Sequence, residues 1–132
     1  MPVRALIVDD EKLARDEMRF LLEGAEDVEI AGEASGGEEA VSMVAELSPD
    51  IVFLDIQMPE LDGFGVVRRL IESQHIPLVI FTTAYDQYAI RAFEVNAVDY
   101  LLKPVEKDRL VEAIERARAI LPKRAEFADR LR

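Results

Sequence analysis

Residues 5–10 read Ala5-Leu6-Ile7-Val8-Asp9-Asp10, four apolar side chains in a row and then two carboxylates. A short unbroken apolar run is the mark of a strand buried on both faces, as in a parallel sheet covered by helices. The design recurs along the chain. Ile51-Val52-Phe53-Leu54 ends in Asp55, and Tyr100-Leu101-Leu102 ends in Lys103-Pro104. In open α/β sheets the reactive edge lies just outside the carboxyl ends of the strands. Neighbouring strands of this kind therefore bring three carboxylates and one ammonium to a single small pocket.

Such a pocket is costly. Two unit charges about 5 Å apart, at an effective dielectric of about 20, repel by roughly 3 kcal/mol, and three carboxylates make three such pairs. The cluster calls for a divalent cation as well as the lysine. Hard oxygen ligands in small number suit Mg²⁺, which keeps several waters and often shares its shell with a phosphate.

Outward from these runs the pattern alternates strand and helix. Strands are predicted at 3–8, 28–31 (an edge strand, from its polar alternation), 51–54, 78–82 and 98–102. The first helix is predicted from Glu11 to about Gly24, with Ala14, Met18, Leu21, Leu22 and Ala25 on its buried face. A second opens at Gly36-Gly37, with Val41, Val44 and Ala45 on one face and Pro49 after its end. A third covers about 63–72 and a fourth about 86–94. The fifth starts near Glu106, carries the stripe Leu110, Ala113, Ile114, Ala117 and Leu121, and ends at Pro122. Five βα units with short, right-handed connections imply an α/β fold with a doubly wound five-stranded parallel sheet and helices on both faces. The flavodoxin-like strand order 2-1-3-4-5 gathers the ends of strands one, three and five at a switch point. Residues 1–121 read as one domain. Residues 122–132, with Lys123, Arg124, Asp129 and Arg130, read as the start of a linker to a further domain.

Composition narrows the function classes. A chain of 132 residues, 50% hydrophobic, is one ordinary domain with a real core. No apolar stretch reaches the length of a membrane span, and the N-terminus lacks a signal-peptide pattern. There is no cysteine, which excludes disulfides, thiol catalysis and zinc–thiolate sites and fits a cytoplasmic protein. A net charge of −11 argues against direct nucleic-acid binding.

The site residues have bland readings as well. Asp10 precedes a helix and could be its N-cap. Asp55 could simply end a strand before the turn Gln57-Met58-Pro59-Glu60-Leu61-Asp62-Gly63. Beside a cation, however, Asp55 is also placed to act as nucleophile toward a phosphoryl group. The Gln57 backbone carbonyl lies where it could complete the metal shell. Lys103 would form a structural ion pair with Asp9, Asp10 or Asp55, and the same ammonium can hold a phosphoryl oxygen. Of Thr82 and Thr83, alternation lets at most one face the pocket. Tyr85, Tyr88 and Tyr100 read as packing, and His75, the one histidine, as a solvent-exposed loop residue.

Together Asp9-Asp10, Asp55-Ile56-Gln57-Met58-Pro59, Thr83-Ala84 and Lys103-Pro104 resemble the receiver domain of bacterial two-component response regulators, over residues 2–121. The stretches Phe81 to Asp86 and Phe93 to Pro104 further resemble regulators with a LytTR-type DNA-binding output domain. The resemblance implies that Asp55 is the phosphoacceptor and that Asp9, Asp10 and Asp55 hold Mg²⁺ with the Gln57 carbonyl. It implies that Lys103 binds the phosphoryl oxygen, that Thr83 follows the phosphoryl group and that Tyr100 changes rotamer. It also implies a sensor histidine kinase as donor, signalling rather than turnover as the activity, and a cis peptide at Lys103-Pro104. DNA would be reached only through an output domain outside this chain. A homodimer through helix four, strand five and helix five is expected, salt-sensitive because of Arg91, Glu94, Asp99, Arg109, Glu112 and Arg116. Many relatives carry asparagine at the position of Gln57, a difference that bears on dephosphorylation rate.

Rival readings lack their motifs. A haloacid-dehalogenase-like phosphatase needs a second acid two residues past the nucleophile, where Gln57 stands. A flavodoxin or cobalamin module needs a Ser/Thr-rich phosphate loop or a histidine ligand, and a P-loop NTPase needs its Gly-rich Lys-Ser/Thr element.

Overall fold

The computed structural model describes residues 2–74 and 76–130, with the side chains of 123–130 excepted. Five parallel strands, β1 (Val3–Val8), β2 (Val28–Ala34), β3 (Ile51–Asp55), β4 (Leu78–Thr83) and β5 (Asp99–Leu102), lie in the order β2-β1-β3-β4-β5. Helices α1 (Lys12–Glu23), α2 (Gly37–Leu47), α3 (Gly63–Ser73), α4 (Ala89–Glu94) and α5 (Lys107–Arg130) alternate with them. This is the expected flavodoxin-like sheet.

Why the strand sequences are apolar without interruption is visible in the two cores. Ala5 and Ile7, Ile51 and Phe53, Leu78 and Ile80, and Leu101 pack with Met18 and Leu22 of α1 and with Leu110, Ala113, Ile114 and Ala117 of α5. The residues between them, Leu6, Val8, Val52, Leu54, Val79 and Phe81, pack on the opposite side with Ala40 and Val44 of α2, Phe64 and Leu70 of α3, and Ala92 of α4. A period of two is hidden because both phases are buried. Each fully buried Leu, Ile or Phe contributes ~1.5–3 kcal/mol over its exposed state.

The structure departs from expectation at several points. β2 continues past Ala31 to Ala34, through a register shift opposite Ala5/Leu6 that takes up one extra residue. Gly32 lies within this stretch, where a Cβ would come within 2.7 Å of Met43 Cε and 3.1 Å of Leu47 Cδ1, so a side chain there would displace those two ends on α2. On α2 the buried positions are Gly37, Ala40 and Val44, while Val41 is half-buried and Ala45 is exposed. α1 buries Met18 and Leu22 and leaves Ala14 and Leu21 half-buried, and it stops short of Ala25, which is half-buried beyond its end. A 3-10 turn, Asp86–Tyr88, precedes a short α4. α5 runs through Pro122 to Arg130, because one lost backbone bond is outweighed by flanking turns rich in helix-favouring Lys, Arg, Ala and Glu. The Lys103-Pro104 peptide is cis, as the resemblance implied. His75 lies outside the described residues, as do the side chains of Lys123, Arg124, Asp129 and Arg130. Among the described residues no helix is long and apolar enough to cross a membrane.

Candidate functional site

Strand alternation selects the site. Asp9 follows Val3, Ala5 and Ile7 in phase, Asp55 follows Ile51 and Phe53, Thr82 follows Leu78 and Ile80, and Lys103 follows Leu101. All four therefore continue the series that faces α1 and α5, at the carboxyl edge of three adjacent strands and β5. One carboxylate oxygen each from Asp9, Asp10 and Asp55 lies within 4.8 Å of the others. Lys103 Nζ stands 2.7 Å from Asp9 Oδ2 and 3.6 Å from Asp55 Oδ2. Asp9 and Asp55 are buried, Asp10 is exposed and Lys103 is partly covered.

The surrounding backbone fixes these positions. Asp9 Oδ1 accepts the Glu11 N–H at 3.0 Å, and the Asp9 carbonyl accepts from Arg15 Nη1 at 2.8 Å. The N-cap of α1 is Glu11, without a side-chain bond, so Asp10 is not spent on capping. α3 starts hard against the Asp55 backbone. A Cβ on Gly63 would lie 2.7 Å from the Asp55 carbonyl oxygen, and the Gly63 N–H donates to the Ile56 carbonyl at 2.8 Å. Asp62 caps that helix by accepting from the Gly65 N–H at 2.8 Å.

Charge is out of balance in this pocket. Burial, then the charge of Asp9, push the Asp55 carboxyl up to about 7, against the opposing pull of Lys103 and of a backbone hydrogen bond from Gln57. Burial works against the Lys103 ammonium too. The hydrogen bond to Asp9 and the charges of Asp55, Asp9 and Glu11 outweigh it and hold its pKa above the usual lysine value. Three carboxylates against one ammonium leave surplus negative charge on hard oxygen donors, one of them open to solvent. That donor set fits a small divalent cation such as Mg²⁺, with Asp9, Asp10 and Asp55 as its holders.

The two threonines part company. Thr82 is opposite Asp55 in the sheet register and lines a cleft of ≈400 Å³ with Asp9 and Lys103. Thr83, fully buried, follows Val79 and Phe81 in the other phase, the side on which Tyr100 packs. The Thr83 hydroxyl accepts the Tyr85 N–H at 3.3 Å, and the Tyr100 hydroxyl donates to the Tyr85 carbonyl. Gln57 is exposed, and its Nε2 donates to the Tyr88 hydroxyl at 2.8 Å. Two participants were not legible beforehand. Arg15 steadies Asp9 while pairing with Glu33 of β2 at 3.5 Å, and Tyr88 is tied to Gln57. Both depend on contacts distant in sequence, which no local spacing signals.

Comparison with known proteins gives the family and the fold. A family model described as response regulator receiver domain matches residues 5–115. The transcriptional regulatory protein BtsR of Salmonella typhi is 50% identical over 116 residues, covering 88% of this chain and 48% of that protein. The sensory transduction protein LytT of Bacillus cereus is 47% identical over 114 residues, 86% of this chain and 46% of the relative. The chain thus spans about half the length of the curated relatives it matches. Among solved structures, the response regulatory domain of mrkE from Klebsiella pneumoniae superposes with a TM-score of 0.81 at 30% identity, over 92% of this chain and 99% of that one. CheY from Borrelia burgdorferi, solved with CheX, BeF₃ and Mg²⁺, superposes at 0.78 with 27% identity, covering 86% of this chain and 87% of that one.

Proposed function

This chain belongs to the receiver domains of two-component response regulators, and from that premise we propose that it is switched by phosphorylation of Asp55. The observation that carries the reading is the convergence of the Asp9, Asp10 and Asp55 carboxylates within 4.8 Å, with Lys103 Nζ 3.6 Å from Asp55. In the proposed step an Asp55 carboxylate oxygen attacks phosphorus. An acyl O–P bond forms as the P–N bond of a phosphohistidine on a sensor kinase breaks, and the departing imidazole nitrogen keeps the bond pair. Asp9, Asp10 and Asp55, with the Gln57 carbonyl, would hold Mg²⁺, which would supply charge neutralisation for the transferring oxygens. Lys103 gives its ammonium to a phosphoryl oxygen, while its bond to Asp9 keeps it in place.

The product carries about −1.5 to −2 charges, spread over the phosphoryl oxygens, in place of the single charge of the ionised carboxylate. Thr83 is read as the hydroxyl that turns from the Tyr85 N–H toward this group, and Tyr100, on the same side of the sheet, as the ring that follows it. The signal leaves through α4, β5 and α5. The output is read as transcription control through a LytTR-type DNA-binding domain in the same protein, in the cytoplasm.

Transfer from a phosphorylated sensor kinase in the presence of Mg²⁺, followed by borohydride reduction and peptide mapping, tests the assignment. Asp55 is expected to be recovered as the reduced residue. Reduction at Asp9 or Asp10 with Asp55 intact would overturn it.

A further inference from the structure

Gln57, two residues past Asp55, is exposed, yet its side chain has a set direction. Its Nε2 donates to the Tyr88 hydroxyl at 2.8 Å. Tyr88 closes the 3-10 turn that leads into α4. Its ring packs on Phe64 of α3 with centroids 6.1 Å apart and meets Tyr85 edge-on at 6.4 Å. Arg91 of α4 lays its guanidinium 4.1 Å over the same Phe64 ring. Gln57, Phe64, Tyr88 and Arg91 wall a cleft of ≈410 Å³ beside the phosphoacceptor loop. The Tyr88 ring is thus located by aromatic packing, and its hydroxyl is free to hold the amide toward α4.

A carboxamide carries both a donor and an acceptor, so a free one beside an acyl phosphate can orient an attacking water. We propose that Tyr88 is a positioning residue that holds the Gln57 amide against α4, withholds it from such a water, and so lengthens the life of the phosphoryl group. The role rests on the reading of Asp55 as phosphoacceptor. In the hydrolysis it restrains, a water oxygen bonds to phosphorus and the P–O bond to Asp55 breaks. The carboxylate recovers its electron pair, and the water protons go to the released phosphate and to solvent.

The test compares wild type, Tyr88→Phe, Gln57→Ala and the double variant. Each is labelled with acetyl phosphate and Mg²⁺, freed of donor, and followed for loss of acyl phosphate. Tyr88→Phe keeps the ring packing and removes only the hydroxyl. It is expected to shorten the half-life on the order of three- to tenfold, the range of one neutral hydrogen bond. In the Gln57→Ala background the same change is expected to have no effect. An unaltered half-life in Tyr88→Phe, or equal shortening in both backgrounds, would overturn the positioning role while leaving Asp55 as acceptor. A wild type that takes no label would remove both readings together.

Discussion

Asp55 is the side chain on which opposing terms nearly balance. Burial and the Asp9 charge raise its carboxyl to about 7, far above the ordinary carboxylate, whereas Lys103 stabilises the ionised form. The raised value means that the folded protein holds a proton the unfolded chain has already released. Its contribution to stability is therefore present below about pH 4 and is lost as pH rises through about 7. In Mg²⁺-free buffer, Asp55→Asn should remove this loss and raise stability near neutral pH by ~1–3 kcal/mol. Urea unfolding of both proteins across that range measures it, and parallel pH curves would contradict the assignment of the strain to Asp55. The acidic residues and Lys103 were readable in the sequence because each ends an apolar run, and the alternation of strand side chains then aligns Asp9, Asp55 and Lys103. Arg15 and Tyr88 were not readable, since the partners that give them meaning lie on other elements.

Between elements, the joint of β5 with α5 is held by charge. Asp99, expected on the surface, is buried, its side chain 5% exposed. It accepts from Arg109 at 2.5 and 2.9 Å and pairs with Arg116 at 3.1 Å. Burial works to raise its pKa, but the Arg109 hydrogen bond, the Tyr100 backbone N–H and the two guanidinium charges outweigh it and leave the value below the usual one. This depressed pKa gives stability that is present above about pH 4 and is lost as pH falls through the folded value. Asp99→Asn should cost roughly 2–4 kcal/mol at neutral pH, somewhat under a fully buried pair because both arginines are partly exposed. Thermal melts at neutral and acidic pH should show that gap closing in acid. The five βα units were legible because buried strands and striped helices have different periods. Two boundaries were not. The extension of β2 past Ala31 goes with its shifted register against β1, and the passage of α5 through Pro122 depends on the turns that flank it.

For the molecule as a whole, the strand order β2-β1-β3-β4-β5 places the acidic pocket at one edge and the α4–β5–α5 face beside it. With Asp99 satisfied internally, that face is less ionic than its sequence reads. Ile90 and Phe93 of α4 are 77% and 83% exposed, and Leu102 of β5 is 47% exposed. A two-fold contact through this face would bury each apolar group twice. Sedimentation velocity should show a weak dimer that tightens with beryllofluoride and Mg²⁺, depends on salt less than an ionic interface would, and is lost in Phe93→Asp. A monomer under every condition would leave the phosphorylation reading intact and remove self-association as its output. The central claim is tested most directly by intact mass after incubation with acetyl phosphate. With Mg²⁺ the wild type should gain one phosphoryl group, and without Mg²⁺ or as Asp55→Asn it should gain none. Labelling of Asp55→Asn at the wild-type rate, or a wild type that takes no label with Mg²⁺ present, would contradict the account.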